Sequence, residues 1–259
     1  LYHNGLNMIL NVFGGAVVNA ARGIAYQINN VLLQFINNVT IVINPYCIKL
    51  WAAGELEKAY KMIFFSSKIL FLIQLCLLIP IYYLTPDILQ LWLGQIPEYS
   101  VVFIRLILIY SLVRSLHPSL DLVFKSCGNI KWYQITEGVL QLVPLFASCI
   151  ALKMGAPYYS AFTIVIVGEL LSMIVVIPLA YFIANLDIIK YAIRVLIPCL
   201  LIFLGTLAVY YFFVIQTDVL WKKIAITAAV LSADLIVWYF ICIGNWERNQ
   251  LINIVKRKK

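Results

Sequence analysis

The chain has 259 residues, of which 64% are hydrophobic and 12% are charged, and its mean hydropathy is +0.96. Soluble domains carry about 25% charged residues, so this composition excludes an ordinary soluble protein. The apolar runs extend to about 20 residues and do not alternate over ten, which indicates membrane-crossing helices and not a membrane β-barrel.

Windows of about 20 apolar residues predict one partial and seven complete spans. The partial span covers 1–13 and ends at a turn formed by Gly14 and Gly15. The complete spans are 16–45, 63–84, 100–119, 133–152, 158–183, 192–214 and 222–243. We therefore predict an all-α, polytopic membrane bundle. Since Leu1 lies within an apolar stretch, we also expect an upstream portion of the polypeptide to be missing.

Basic residues are concentrated in alternate connections. Thirteen Lys and Arg lie in the connections 46–62, 114–131 and 184–194 and in the tail, whereas three lie in 85–99, 153–157 and 215–223. The positive-inside rule makes the first set, and the C-terminus, cytoplasmic. The net charge of +8 is then a topology signal, with no nucleic-acid partner implied. We expect 85–99 to lie along the outer interface and 53–62 to form a cytoplasmic surface helix.

One face of the 16–45 span carries a guanidinium and a series of amides. At 3.6 residues per turn these side chains form a stripe: Asn19, Arg22, Tyr26, Asn30, Gln34 and Asn37. Amides alone often join neighbouring spans by hydrogen bonds. Because an intramembrane charge is costly and usually functional, Arg22 favours a polar cavity as the surroundings of this face.

Other spans also contain ionisable side chains. Arg105 either faces the cavity or extends its head group to the outer interface. Glu137 belongs to a stripe with Gln134, Gln141 and Ser148, or pairs with Lys131 at the rim. An isolated Glu169 in mid-membrane would be protonated or bound to a cation. Glu169 and Glu137 are therefore candidates for ion or proton coupling, with a structural hydrogen bond as the alternative for Glu169.

Signatures of catalysis and of cofactor binding are absent from the sequence. It contains no phosphate loop, no dinucleotide glycine fingerprint, no nucleophile elbow and no H-E-x-x-H motif. The six cysteines are scattered through apolar runs and form no C-x-x-C pair. We therefore predict that the chain is not an enzyme and has no cofactor or metal.

Several stretches carry a family resemblance. They are GLNMILNVFGGAVVNAARGIAYQINN, INPYCIKLWAAGELEKAYKMIFFSSK, TPDILQLWLGQIPEY and GNIKWYQ. Together they resemble the bacterial oligosaccharide-lipid flippases, which are the O-antigen and capsule repeat-unit exporters of the MATE-like superfamily. The likeness covers residues 5–155 and fades through 190.

This resemblance implies two six-helix lobes around a central cavity lined by cationic side chains, with Arg22 at a matching position. Residues 1–183 would be the second lobe, and 184–259 would add two helices and a basic tail. The implied cargo is a polyprenyl-pyrophosphate-linked oligosaccharide crossing the bacterial inner membrane. The first lobe is absent from this sequence, so transport would belong to the full-length parent.

Three other functions stay open. An ion-coupled drug or metabolite exporter of the same superfamily would use Glu169 as its coupling site, although the amide-rich stripe favours a glycan. A membrane glycan polymerase or ligase would need a large outer loop with charged residues, and 85–99 has no basic residue. The third possibility is a lobe that packs against a partner and binds nothing.

Overall fold

The computed structural model describes residues 2–213, 220–242, 244 and 247–248, and these are helical apart from short connections, with no strand among them. In chain order the helices are α1 Tyr2–Ala52, α2 Leu56–Leu93, α3 Ser100–Arg114, α4 His117–Cys127, α5 Lys131–Lys153, α6 Ser160–Ala184, α7 Ile188–Tyr191, α8 Ile197–Phe213 and α9 Leu220–Val237. A π-helical turn, Ala192–Leu196, joins α7 to α8, and another, Trp238–Cys242, follows α9.

Seven segments of the described chain are long and apolar enough to cross a membrane. They comprise α1, α2, α3 with α4, α5, α6, α7 with α8, and α9 with the start of its π-helical turn. Large apolar side chains such as Phe146 and Phe182 lie exposed on their outer surfaces. Such exposure suits lipid as the solvent, and it confirms the predicted membrane bundle of α-helices.

Helix α1 is a hairpin of two arms, residues 2–14 and 16–52. Gly15 breaks the helix with φ 66° and ψ −161°. The arms run back along each other, because Asn7 and Arg22, which are 15 residues apart, share a hydrogen bond of 2.9 Å. The predicted turn at Gly14 and Gly15 therefore exists.

The connections fall at two ends of the bundle, as the alternation of basic residues predicts. At one end, the Tyr60 hydroxyl donates to the carbonyl oxygen of Ala184. At the opposite end, the Tyr158 hydroxyl donates to the carbonyl of Phe13 at 3.2 Å, and its ring lies 5.7 Å from that of Tyr99. We call the first of these the basic end, since it holds the connections 46–62, 114–131 and 184–194.

Glycines set helix boundaries that hydropathy did not locate. Gly54, Gly94 and Gly128 have φ near +75°, the left-handed conformation that ends a helix. Residues 56–62 are consequently the first turns of α2, and not a separate surface helix. Residues 85–93 are its last turns, so the segment predicted at the outer interface is continuous with the preceding span. The predicted loop 114–131 consists mostly of α4.

The C-terminal helices pack against each other and against α2. Thr206 Oγ1 lies 3.0 Å from both carboxylate oxygens of Asp234, and the rings of Tyr83 and Tyr210 stack at 3.4 Å. Before them, Asp187 caps α7 by accepting from the backbone N–H of Lys190, which lowers the pKa of Asp187. The predicted basic tail lies mostly outside the described residues, since 249–259 are not among them.

Replacing Gly15 with alanine should destabilise the protein. No neighbour lies within 4 Å of the added Cβ, so the substitution causes no steric overlap. Its cost is backbone strain of about 1–3 kcal/mol, because residues other than glycine almost never adopt the φ and ψ angles of this position. Gly23→Ala is the matched control, because Gly23 also has open space but lies within the regular helix, where alanine is favourable by about 0.4–1 kcal/mol. Unfolding in detergent micelles measures both, and equal effects of the two substitutions would contradict the hairpin.

Candidate functional site

The structure buries Arg22 inside the α1 hairpin. Its side chain is 8% exposed, it donates to Asn7 Oδ1, and its guanidinium carbon lies 4.2 Å from the ring centre of Tyr26. The sequence placed Arg22 on an open cavity wall. The first arm of α1 covers that wall and supplies the acceptor instead.

The rest of the predicted stripe divides between the interior and the surface. Asn19 is half-buried and Tyr26 is buried. Three amides are exposed, and we call them the amide row: Asn30, Gln34 and Asn37. Beside the amide row the exposed side chains become apolar, as at Val31 and Phe35. The second arm of α1 thus presents one polar and one apolar sector to its surroundings.

Arg105 lies apart from the α1 stripe. Its Nε donates to the backbone carbonyl of Tyr82 on α2 at 3.4 Å, and its guanidinium carbon lies 5.2 Å from the ring centre of the same tyrosine. The side chain is half-buried. Arg105 therefore joins α3 to α2, and it lines neither of the cavities described below.

Four ionisable side chains meet where α3, α4, α5 and α6 converge, and we call them the charge cluster: Arg114, His117, Glu137 and Glu169. Arg114 Nη1 lies 2.5 Å from Glu137 Oε1 and 2.7 Å from Glu169 Oε1. The Nε2 atom of His117 is 3.0 Å from the same oxygen of Glu169. Both carboxylates and the imidazole are buried. One guanidinium thus faces two carboxylates within the membrane bundle.

Hydrogen bonds and close helix packing support the charge cluster. Ser172 donates to Glu137 Oε2 at 2.8 Å, and Gln141 donates to Oε1 at 3.0 Å. Gly168 lets α6 approach α5 closely, because a Cβ added there would overlap the ring of Pro144. This approach brings Ser172 within reach of Glu137.

These contacts revise the sequence interpretation of both glutamates. Glu169 is not isolated, because it has a guanidinium and an imidazole beside it. Glu137 binds Arg114 and not Lys131. Neither Arg114, which the charge pattern assigns to the 114–131 connection, nor His117 is among the site residues that the sequence predicts. Their spacing of three residues was the available signal.

The cluster has a donor set that resembles a metal site. Ligand atoms of His117, Glu137 and Glu169 lie within 4.8 Å of one another. The Arg114 guanidinium already occupies the Oε1 atoms of both glutamates and neutralises one of their charges. These residues therefore form an ion-pair network and do not fit a metal centre.

A polar cavity of about 190 Å³ lies beside the cluster, between α1, the end of α3, α4 and α5. We call it the basic-end cavity, and its lining is Asn37, Thr40, Asn44, Arg114, His117, Pro118, Asp121, Lys125 and Tyr133. The amide row leads into it through Asn37. A smaller cavity of about 20 Å³, enough for one water, adjoins Glu169, Gln141 and Ser172.

Comparisons with known proteins add no relative: no family model, no curated protein and no solved structure matches this chain. The chemistry of the site therefore has to follow from its own residues.

Gly168→Ala should separate α5 from α6 at the charge cluster. The added methyl group would overlap the rigid ring of Pro144, and overpacking of this kind costs about 1–3 kcal/mol. Gly138→Ala on α5 is the matched control, since no atom lies within 4 Å of the Cβ added there. The midpoint of denaturant unfolding is measured for both variants. Equal midpoints for Gly168→Ala and Gly138→Ala would contradict the close approach of α5 and α6.

Proposed function

We propose that this chain forms one lobe of a carrier that moves a polyprenyl-pyrophosphate-linked oligosaccharide across a bacterial inner membrane. The observation that supports this most directly is the amide row, an exposed polar sector on a membrane helix that leads into a polar cavity. Exposed amides facing acyl chains would be costly, so they require water or a polar partner. A second lobe enclosing that sector would complete a hydrated path.

The chemistry of the amide row suits sugar hydroxyls. A carboxamide donates two hydrogen bonds and accepts two, and a hydroxyl group does both. Asn30, Gln34 and Asn37 follow one another at steps of four and three along one side of α1. The adjacent apolar sector, with Val31 and Phe35, can stay in contact with lipid or with the polyprenyl tail.

Arg22 has a conditional role in this proposal. In the closed hairpin its guanidinium binds the neutral Asn7 amide. When the arms of α1 separate, a pyrophosphate oxygen can replace Asn7, because charge-assisted bonds from a guanidinium to phosphate are the stronger ones. Asn19 and Tyr26 flank this position, while Arg105 joins α3 to α2. Rocking of the two lobes would expose the path to each side in turn, with no covalent bond changed.

A second candidate is an ion-coupled exporter of drugs or metabolites. The charge cluster favours it, since intramembrane carboxylates paired with basic side chains are typical of proton pathways. In that case Glu169 and Glu137 would exchange an ion while an apolar cargo used another surface. The amide row would then be dispensable.

The double substitution Asn30→Leu/Gln34→Leu distinguishes the two candidates. In the complete polypeptide as the native cell makes it, we expect surface polysaccharide to fall at least tenfold, because two hydrogen-bonding groups of about 1 kcal/mol each are lost and the path becomes apolar. Phe35→Leu, on the neighbouring apolar sector, is the control and should leave export unchanged. Protein level in the membrane is measured alongside. Normal export at a normal protein level would overturn the oligosaccharide proposal.

A further inference from the structure

One residue of the basic-end cavity carries a polar atom that the described chain does not satisfy. The buried Oδ1 of Asn44 has no hydrogen-bond partner there. His117 also lines the cavity, but its ring nitrogens face the charge cluster, since Nε2 lies 3.0 Å from Glu169 Oε1 and Nδ1 lies 3.8 Å from Glu137 Oε1. A buried polar atom without a partner is costly, so its presence in a residue of the cavity lining indicates a ligand.

The charges around the cavity limit what that ligand can be. Arg114 and Lys125 face it as cations, and Lys125 is paired with Asp121. Behind Arg114 lie Glu137 and Glu169. Apart from His117, the region holds two cations, Arg114 and Lys125. It holds three carboxylates: Asp121, Glu137 and Glu169. A phosphate would therefore enter a region with no excess positive charge, and a metal ion would have to displace Arg114.

The lining then favours a neutral ligand rich in hydroxyl groups. Asn44 Oδ1 and Asp121 can accept hydrogen bonds, whereas the Asn37 amide can donate as well as accept. Thr40 donates to the backbone carbonyl of Asn37 at 2.9 Å, so its lone pairs remain for a ligand. Drug-sized organic ligands use pockets of about 300–1,000 Å³. At 190 Å³ the cavity holds about six waters, which is the scale of one sugar ring.

We propose that the basic-end cavity is a subsite for a single sugar residue, bound through its hydroxyl groups by Asn37, Asn44 and Asp121. This inference deepens the proposed function, because the sugar would be a terminal residue of the transported oligosaccharide. The amide row would hold the residues that follow it along α1. The geometry itself requires no second lobe for this subsite, since α1, α3, α4 and α5 supply its described lining.

The test measures binding of methyl glycosides to the complete chain in lipid nanodiscs. Saturation-transfer difference NMR is recorded with a methyl hexoside, a methyl N-acetylhexosaminide and, as the rival chemistry, inorganic pyrophosphate observed by phosphorus NMR. We expect at least one glycoside to bind and pyrophosphate not to bind. Asn37→Leu should weaken glycoside binding about fivefold, the effect of one lost hydrogen bond. Asn38→Leu is the control, because Asn38 is exposed on the same helix outside the cavity lining.

Three outcomes decide the proposal. Glycoside binding that depends on Asn37 and not on Asn38 supports it. Absence of glycoside binding, or pyrophosphate binding with the same dependence, overturns it. Should Asn37→Leu fail to fold, Thr40→Val tests the same wall with a nearly isosteric change. Glycoside binding together with normal export in the Asn30→Leu/Gln34→Leu protein would preserve the subsite and reject the carrier; loss of export without glycoside binding would do the reverse.

Discussion

The structure depends on one arginine that faces two carboxylates inside a membrane bundle. Arg114 is the last residue of α3, and the two glutamates come from α5 and α6. A carboxylate alone in hydrocarbon is expensive, so each glutamate needs a cation or a proton. A single guanidinium, with its planar array of donors, can bind both at once. The ion pairs thereby fix how α5 and α6 are placed against α3 and α4, and the cavity beside them follows from that placement.

The α1 hairpin also buries a charged side chain, that of Arg22, but it does so with different contacts. Arg22 donates to the Asn7 amide and lies over the face of Tyr26. Neither the amide nor the ring carries a formal negative charge, and the face of an aromatic ring attracts a cation through its quadrupole. Further along the same arm, the amide row stays exposed. The second arm of α1 therefore carries the buried Arg22 near the Gly15 turn and the exposed amide row nearer the basic end.

Much of this architecture was readable from the sequence. Apolar length predicted the spans, since the bilayer fixes how many residues a helix needs, and the alternation of basic residues predicted which connections share an end. The Gly14–Gly15 pair predicted the hairpin turn. The boundaries near Gly54, Gly94 and Gly128 were displaced because these turn glycines, and not hydropathy, end the helices there.

The candidate site was less predictable, for a physical reason. Periodicity groups side chains on one face of a helix but does not say what covers that face. It therefore placed Arg22 and Asn37 in one stripe, although one is buried and the other exposed. The contact between Arg114 and Glu169 joins residues 55 apart on different helices, so no local pattern reports it. The glutamates were found because intramembrane charge is rare; their partner was not, because it stood at the end of a span.

The most direct test of this account is the free energy of unfolding of an Arg114→Met protein compared with that of the triple variant Arg114→Met/Glu137→Gln/Glu169→Gln. Removing the cation alone leaves two buried carboxylates without it, and we expect a loss of about 3–5 kcal/mol, most of which the triple variant should recover. Lys61→Ala, which breaks the exposed pair of Lys61 with Glu57, gives the scale of a surface ion pair, below about 1 kcal/mol. A cost for Arg114→Met as small as that of Lys61→Ala, with no recovery in the triple variant, would contradict the central role of this arginine.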